Sequence, residues 1–180
     1  VVLESTCVRG LMVLGAGGPE VLSKYEIDRP VRSGQVLVGK VVAEWVNPID
    51  AKSCAGRGPF AVITNFPAVL GLDFSGVVVE APYAAHPHQP GTEDYGMTPV
   101  PRMSGAYAEY LSVPGLSVIP KPSTLSHVEA AGVPVAALTA WGMVVETATA
   151  HAGPRMRIPA GPRGCGHLPV PSVKAVAQNR

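Results

Sequence analysis

The sequence predicts a mainly β protein that begins an α/β arrangement in its last third. Twenty glycines and 19 prolines among 180 residues exclude a coiled coil or helical bundle, because both residues weaken helix interiors. A hydrophobic content of 47% with a net charge of +1 excludes a disordered chain. Short β-branched segments separated by turn clusters fill the first 120 residues, a spacing typical of a small β-barrel or sandwich.

The first predicted strands are short. Leu11–Leu14 forms a strand candidate that ends at the turn signal GAGGPE, and Leu22–Ile27 forms an edge-like second strand. Gln35–Val46 is rich in β-branched residues, and Gly39 within it predicts a bulge or bend.

A turn and the clearest strand come next. Asn47-Pro48 predicts a turn, because a residue before proline avoids the α region. Ile49–Ala55 is long enough for one helical turn, and residues 56–68 read as a loop. Val69–Glu80, with the sequence VLGLDFSGVVVE, is the strongest strand signal in the chain.

The remaining β signals follow a proline-rich stretch. We expect residues 81–104 to be irregular, Gly105–Val113 to be a strand, and Ser117–Pro120 to be a short one. These assignments give a β domain over residues 1–122.

Helical signals then replace the strands. Ser126 stands three residues before Glu129, which predicts a capping box. The apolar segment Val128–Val145 has helical length, with Pro134 and Gly142 as breaks between two helices.

The end of the chain reads as the start of an α/β domain. Arg155–Ile158 is a strand candidate that leads into a glycine loop containing Gly164 and Gly166. We therefore assign residues 123–180 to a second domain.

Charge and cysteine content narrow the function classes. Residues 1–150 carry nine basic and 13 acidic groups, whereas residues 151–180 carry five basic groups and no acid. This basic tail is either a solvated end or a phosphate-facing segment, and without interleaved aromatic residues it does not predict nucleic-acid binding.

Three cysteines without paired spacing indicate a reducing compartment. Without a signal peptide or an apolar run long enough to span a bilayer, we expect a soluble, cytoplasmic protein with no membrane partner.

Several motifs in order resemble the medium-chain dehydrogenase/reductase superfamily, in its zinc-independent, zeta-crystallin-like quinone oxidoreductase branch. They are GGPEVL at Gly17–Leu22, VNPIDAK at Val46–Lys52, FPAVLGLDFSGVVVE at Phe66–Glu80, YGM at Tyr95–Met97, GAYAEYLSVP at Gly105–Pro114, and PKPSTLSHVEAAGVPVAALTAW at Pro120–Trp141. The resemblance implies a GroES-like catalytic β-barrel over residues 1–122. It also implies crossing helices and the first part of a Rossmann-type NADP-binding domain over residues 123–180, which we expect to be truncated.

The resemblance also implies a site. Asn47 corresponds to the loop asparagine beside the nicotinamide and substrate, and Lys52 to a residue that faces the substrate, with a solvent-exposed lysine as the alternative. Asp50 is the third catalytic candidate and is expected to fix the loop. Thr139 resembles the nicotinamide-side threonine, with a helix-bonding role as the alternative.

The glycine loop only partly follows the family pattern. Gly164 and Gly166 are the expected phosphate-side residues, but Arg163 replaces the preceding glycine. Pro169 and Pro171 also fall within the helix that should follow, where proline costs about 3 kcal/mol.

Zinc is not expected. The positions where zinc-dependent relatives carry cysteine and the His-Glu pair hold Asn47 and Leu72-Asp73, and catalytic zinc prefers thiolate and imidazole ligands. His86 and His88 read as surface-loop residues.

Two functions stay open. The resemblance implies an NADP(H)-dependent oxidoreductase that transfers hydride to the conjugated carbonyl of a small quinone or enone. The alternative is a non-catalytic GroES-like module that binds a partner or self-associates, including as a homo-oligomer, through an exposed apolar face at residues 128–145.

Overall fold

The computed structural model describes residues 6–57, 65–99 and 105–147. The chain divides into two compact units, Val1–Gly132 and Val133–Arg180. The predicted domain assignment, 1–122 and 123–180, stays a prediction.

All strands of the described residues lie in the first unit. They are β1 (Cys7–Val13), β2 (Leu22–Asp28), β3 (Val36–Trp45), β4 (Ala68–Val69), β5 (Asp73–Glu80), β6 (Glu93–Met97), β7 (Tyr110–Pro114) and β8 (Val118–Pro120). The helices are α1 (Pro48–Cys54) and α2 (His127–Ala131) in the first unit and α3 (Pro134–Trp141) in the second. Short 3-10 turns occupy Pro19–Val21 and Gly115–Ser117, and a π-helical turn occupies Gly142–Thr147. This mainly β architecture confirms the predicted fold class.

The smaller sheet has the antiparallel order β2-β1-β4. Its β1 strand begins at Cys7, four residues before the predicted strand Leu11–Leu14. The reason is tertiary, because Cys7–Val13 pairs residue by residue with β2 from Asp28 back to Leu22.

The larger sheet has the antiparallel order β7-β3-β5-β6-β8. Register shifts in β3 at Val38/Gly39 and at Val41/Ala43 confirm the predicted irregularity near Gly39. The segment expected to be irregular contains β6, which pairs with both β5 and β8.

Two predicted strands are shorter than the sequence suggests. The run Val69–Glu80 divides into β4 and β5. Within the predicted strand Gly105–Val113, regular pairing begins only at Tyr110, although Ala108 forms an isolated bridge with Gly10. Backbone groups of residues 70–72 hydrogen-bond to 98, 106 and 107 instead of continuing a ladder.

Two buried clusters stabilise the first unit. Leu37, Phe74 and Leu111 lie in the core of the larger sheet. Val13, Leu70 and Tyr107 pack with Cys54 beneath α1. The second cluster is important for function because it holds α1 against β1.

The helix boundaries follow local chemistry. Glu129 accepts from the Ser126 backbone N–H at 2.8 Å, and Ser126 Oγ accepts from the Glu129 N–H at 3.3 Å, which confirms the predicted capping box. The breaks predicted at Pro134 and Gly142 coincide with the start of α3 and the residue after its end. The predicted strand Arg155–Ile158 lies outside the described residues. Within the described ranges no helix is long and apolar enough to cross a membrane.

Candidate functional site at the start of helix α1

The chain turns from β3 into α1 at Asn47, which is only 7% exposed. Pro48 suits the first helical position because its missing N–H would have no intrahelical partner there. The Asn47 backbone N–H donates to Asp50 Oδ2 at 2.8 Å. This bond fixes the geometry of the turn with a carboxylate that is itself 2% exposed.

Asp73, the first residue of β5, ties α1 to the larger sheet. Asn47 Nδ2 donates to Asp73 Oδ2 at 3.0 Å, and Asp73 is fully buried. The Asn47 carboxamide is therefore held in one orientation, because a bond between two buried polar groups is costly to break.

Tyr107 approaches this cluster over Gly71, which has a φ of +98°. A Cβ at Gly71 would lie 2.5 Å from the Tyr107 ring, so only glycine fits this close approach. The Tyr107 N–H donates to the Leu70 carbonyl at 2.9 Å. These contacts place the Tyr107 ring on the same side of the unit as Asp50.

The cluster is electrostatically negative. Burial raises the pKa of Asp50, although the N–H of Asn47 partly offsets this effect. Burial, and then the charge of Asp50, raises the pKa of Glu44 to about 7. Burial followed by the charges of Asp50 and Glu44 raises the pKa of the Tyr107 hydroxyl. The Asp50 charge thus disfavours ionisation of Glu44 and Tyr107, whereas the Tyr107 hydroxyl lowers the pKa of Asp50 and partly offsets its burial.

A cavity of about 380 Å³ lies between α1, β1 and the 3-10 turn. Its apolar wall includes Leu11, Leu22, Val46, Cys54 and Leu70. Glu44, Asp50 and Tyr107 supply its polar side chains. The volume is within the usual range for small-molecule sites.

The structure brings together two of the predicted catalytic residues. Asn47 and Asp50 are hydrogen-bonded at the start of α1, whereas Lys52 is exposed on the same helix and is not in the cavity wall. Thr139 is exposed on α3 in the second unit. Gly164 and Gly166 lie outside the described residues. The functional roles of all these residues stay predictions.

Sequence reasoning missed Glu44 and Tyr107 as members of this cluster. Glu44 falls within the predicted strand Gln35–Val46, and Tyr107 within the predicted strand Gly105–Val113, with no signal that either belongs to a site. The only sequence signal for Tyr107 is Gly71 in the conformationally demanding GLD turn, more than 30 residues away.

The expectation for His88 was wrong. Instead of lying on the surface, His88 is 8% exposed, and its Nδ1 lies 2.8 Å from Asp94 Oδ2. The His88 imidazole can be buried because it pairs with the carboxylate of Asp94 on β6. His86 is partly exposed, and its Nδ1 accepts from the His88 N–H at 3.1 Å.

A second polar cluster joins α2 to the larger sheet. Ser75 Oγ lies 2.8 Å from His127 Nδ1, and Ser75 also donates to the Asp94 carbonyl at 3.2 Å. His127 Nε2 is 3.5 Å from Glu93, which also pairs with Lys121 at 3.1 Å. Lys121 is the main cause of the lowered pKa of Glu93.

The donor set at α1 does not suit zinc. Leu72 offers no ligand atom, and the Asn47 amide nitrogen is already committed to Asp73. Across the three described ranges, no group of three or more histidine, cysteine or acidic side chains could hold a metal ion.

The fold and the α1 turn together define a GroES-like domain of the dehydrogenase type. The sequence profile of the alcohol dehydrogenase GroES-like domain matches residues 32–123. The chain therefore belongs to this family, within the medium-chain dehydrogenase/reductase superfamily, as its motifs predicted.

Known relatives are oxidoreductases. The mitochondrial NAD(P)H oxidoreductase RTN4IP1 of Mus musculus is 37% identical over 120 residues, covering 60% of this chain and 30% of that protein. The chloroplastic NADPH-dependent alkenal/one oxidoreductase of Arabidopsis thaliana is 34% identical over 167 residues, covering 89% and 42%. The chain thus spans less than half the length of these relatives.

A solved structure shows the same fold. The quinone oxidoreductase of Coxiella burnetii superposes with a TM-score of 0.86 at 31% identity, covering 94% of this chain and 54% of that one.

Proposed function

We propose that this chain takes part in hydride transfer from NADPH to the conjugated carbonyl of a small quinone or enone. The observation that carries the proposal is the buried Asn47 carboxamide, held between Asp50 and Asp73 at the position where the family places its active-site asparagine. Relatives named as alkenal/one and quinone oxidoreductases support the reaction class.

The residues of α1 fit a nicotinamide cofactor chemically. The Asn47 carboxamide has both donor and acceptor groups, the same kinds of group that the carboxamide of a nicotinamide presents. NADPH would supply the hydride when bound. The fixed orientation of Asn47 suits it to position the nicotinamide or the carbonyl oxygen that gains negative charge.

Lys52 and Asp50 have different parts in the proposal. The exposed ammonium of Lys52 is available to donate a proton to the reduced substrate. Asp50 acts as a positioning residue, because its carboxylate holds the Asn47 backbone. Polarisation of the substrate is assigned to hydrogen bonds and not to zinc, given the donor set at Asn47 and Leu72.

Calorimetry of the purified chain with NADPH, followed by NADPH oxidation in the presence of 1,4-benzoquinone, tests the proposal. Saturable NADPH binding and quinone-dependent oxidation are the expected results. A chain that gives no binding heat and no oxidation contradicts a catalytic role for it.

Self-association is a second candidate function, and exposed apolar side chains favour it. Within the second unit, on α3 and the π-helical turn, Leu138, Trp141 and Met143 are 48–57% exposed. Exposed apolar residues concentrated in one segment mark interaction surfaces. Light scattering after size exclusion should show an oligomer that Trp141→Glu dissociates. A wild-type monomer would contradict this candidate.

A further inference from the structure

The cavity beneath α1 has a chemistry that the proposed hydride transfer does not use. Asn47 and Lys52 are not in its wall, whereas Glu44, Asp50 and Tyr107 are. Among the described residues no basic side chain lines the cavity. A ligand there would therefore meet carboxyl and phenol groups at one side and hydrocarbon elsewhere.

Two buried polar atoms of this wall are incompletely satisfied. Asp50 Oδ1 and the Tyr107 hydroxyl oxygen form no hydrogen bond of ordinary length and angle with a described residue, although the Tyr107 hydroxyl is close enough to Asp50 to lower the pKa of that carboxyl. Asp50 and Tyr107 are 2% and 6% exposed, so neither atom is satisfied by bulk water. Such atoms raise the free energy of the folded protein until a donor or acceptor reaches them.

Glu44 provides access to the cavity. Glu44 is a partly desolvated residue at the protein surface that lines both the cavity and an adjoining open groove of about 590 Å³. Tyr107 and Leu11 are also shared by the two walls. A small molecule can thus enter past Glu44 and leave its polar end at that carboxyl.

We infer that this cavity binds a small primary amine with a compact apolar body. The ammonium would pair with Glu44 and lie in the negative field of Asp50, while the apolar body contacts Leu11, Leu22 and Leu70. A bound cation also suits the acid–base properties of the residues that line the cavity. The charge of Asp50 disfavours ionisation of Glu44 and Tyr107, and a nearby positive charge reduces that repulsion. A carboxylate or phosphate ligand would meet the same repulsion and is excluded.

Benzylamine is the probe, and benzyl alcohol is its uncharged match. Each is titrated into the full chain at pH 8, where Glu44 is ionised, with isothermal calorimetry and methyl NMR as readouts. Benzylamine should bind about tenfold more tightly than benzyl alcohol, the ratio expected for one charge-assisted hydrogen bond. The methyl signals of Leu11, Leu22 and Leu70 should shift on binding.

Glu44→Gln keeps the side-chain shape and removes the charge. It should lower benzylamine affinity about tenfold and leave benzyl alcohol affinity unchanged. Glu93→Gln is the matched control, because Glu93 is an exposed acid outside the cavity wall; it should change neither affinity. Equal affinities for the two probes, equal effects of the two variants, or shifts confined to other methyl groups would overturn the inference.

Discussion

Strand β5 supplies a buried polar anchor to each of two helices, and the two anchors differ in charge balance. At α1, Asp73 holds Asn47 beside the acidic groups of Asp50, Glu44 and Tyr107. At α2, Ser75 contacts His127, whose other nitrogen faces Glu93.

The charge difference separates the two regions by role. The α2 cluster is compensated, because Lys121 and His127 lie beside Glu93 and lower its pKa. At α1, burial raises the pKa of Asp50, and burial followed by the charge of Asp50 raises the pKa of Glu44. Acids with raised pKa values beside a cavity are typical of a functional site, whereas an acid paired with a cation contributes mainly to packing.

The largest expected effect is at the α1 anchor. Asp73→Ala leaves the buried Asn47 amide without its acceptor and should lower the free energy of unfolding by about 3 kcal/mol. Asp73→Asn retains an acceptor and should cost less than half as much. Urea denaturation of both variants measures the difference, and equal losses would show that the hydrogen bond to Asn47 is unimportant.

A smaller effect is expected at the α2 anchor. Ser75→Ala removes the contact with His127 and should lower the free energy of unfolding by about 1 kcal/mol. In a double-mutant cycle with His127→Ala the two losses should be less than additive, because both variants remove the same contact. Full additivity in urea melts would contradict the contact.

The acids at α1 should make stability depend on pH. Glu44 has a folded-state pKa of about 7, above its ordinary value of 4.5, so the folded protein binds its proton more tightly than the unfolded chain. Stability from this group is complete below about pH 4.5 and is lost as the pH rises through about 7. Solvent screening limits the loss to about 1 kcal/mol.

Glu44→Gln should remove that dependence. The difference in unfolding free energy between the variant and the wild type should grow in the variant's favour from pH 5 to pH 8. A difference that stays constant with pH would contradict the raised pKa of Glu44. Glu93→Gln is the control, because Glu93 is a surface acid whose pKa is lowered.

The smallest effect is expected at an exposed pair. Arg9 Nε on β1 donates to Oε1 of Glu109, the residue before β7, at 2.9 Å, with the Arg9 side chain 77% exposed. Glu109→Gln should change the melting temperature by less than about 2 °C, because solvent screens an exposed ion pair and leaves it little effect on stability. A larger change would mean that this pair is part of a wider network.

The local signals in the sequence were sufficient for much of the fold. The Ser126–Glu129 capping box, the breaks at Pro134 and Gly142, and the irregular β3 strand each depend on residues close together in the chain. The β6 strand could not be predicted from Glu93–Met97 alone, since its partners β5 and β8 supply its hydrogen bonds.

The residues of the site also divide into those that local sequence predicts and those that only the folded structure brings together. Asn47 and Asp50 are three residues apart, and the motif that contains them pointed to the α1 turn. Tyr107 joins this turn only through tertiary folding, with Gly71 allowing it to approach. Burial of His88 likewise depends on Asp94 from a neighbouring strand.

NADPH-dependent reduction of 1,4-benzoquinone by Asn47→Ala and Ser75→Ala tests the assigned roles of the two anchors most directly. Each variant loses one buried polar contact to β5, and urea denaturation of both variants alongside the assay separates a loss of folding from a loss of function. We expect Asn47→Ala to lower kcat/KM at least about tenfold, a loss of about 1.4 kcal/mol in transition-state stabilisation, and Ser75→Ala to retain the wild-type value. Equal losses in the two variants, or no quinone reduction by the wild-type chain, would contradict the account.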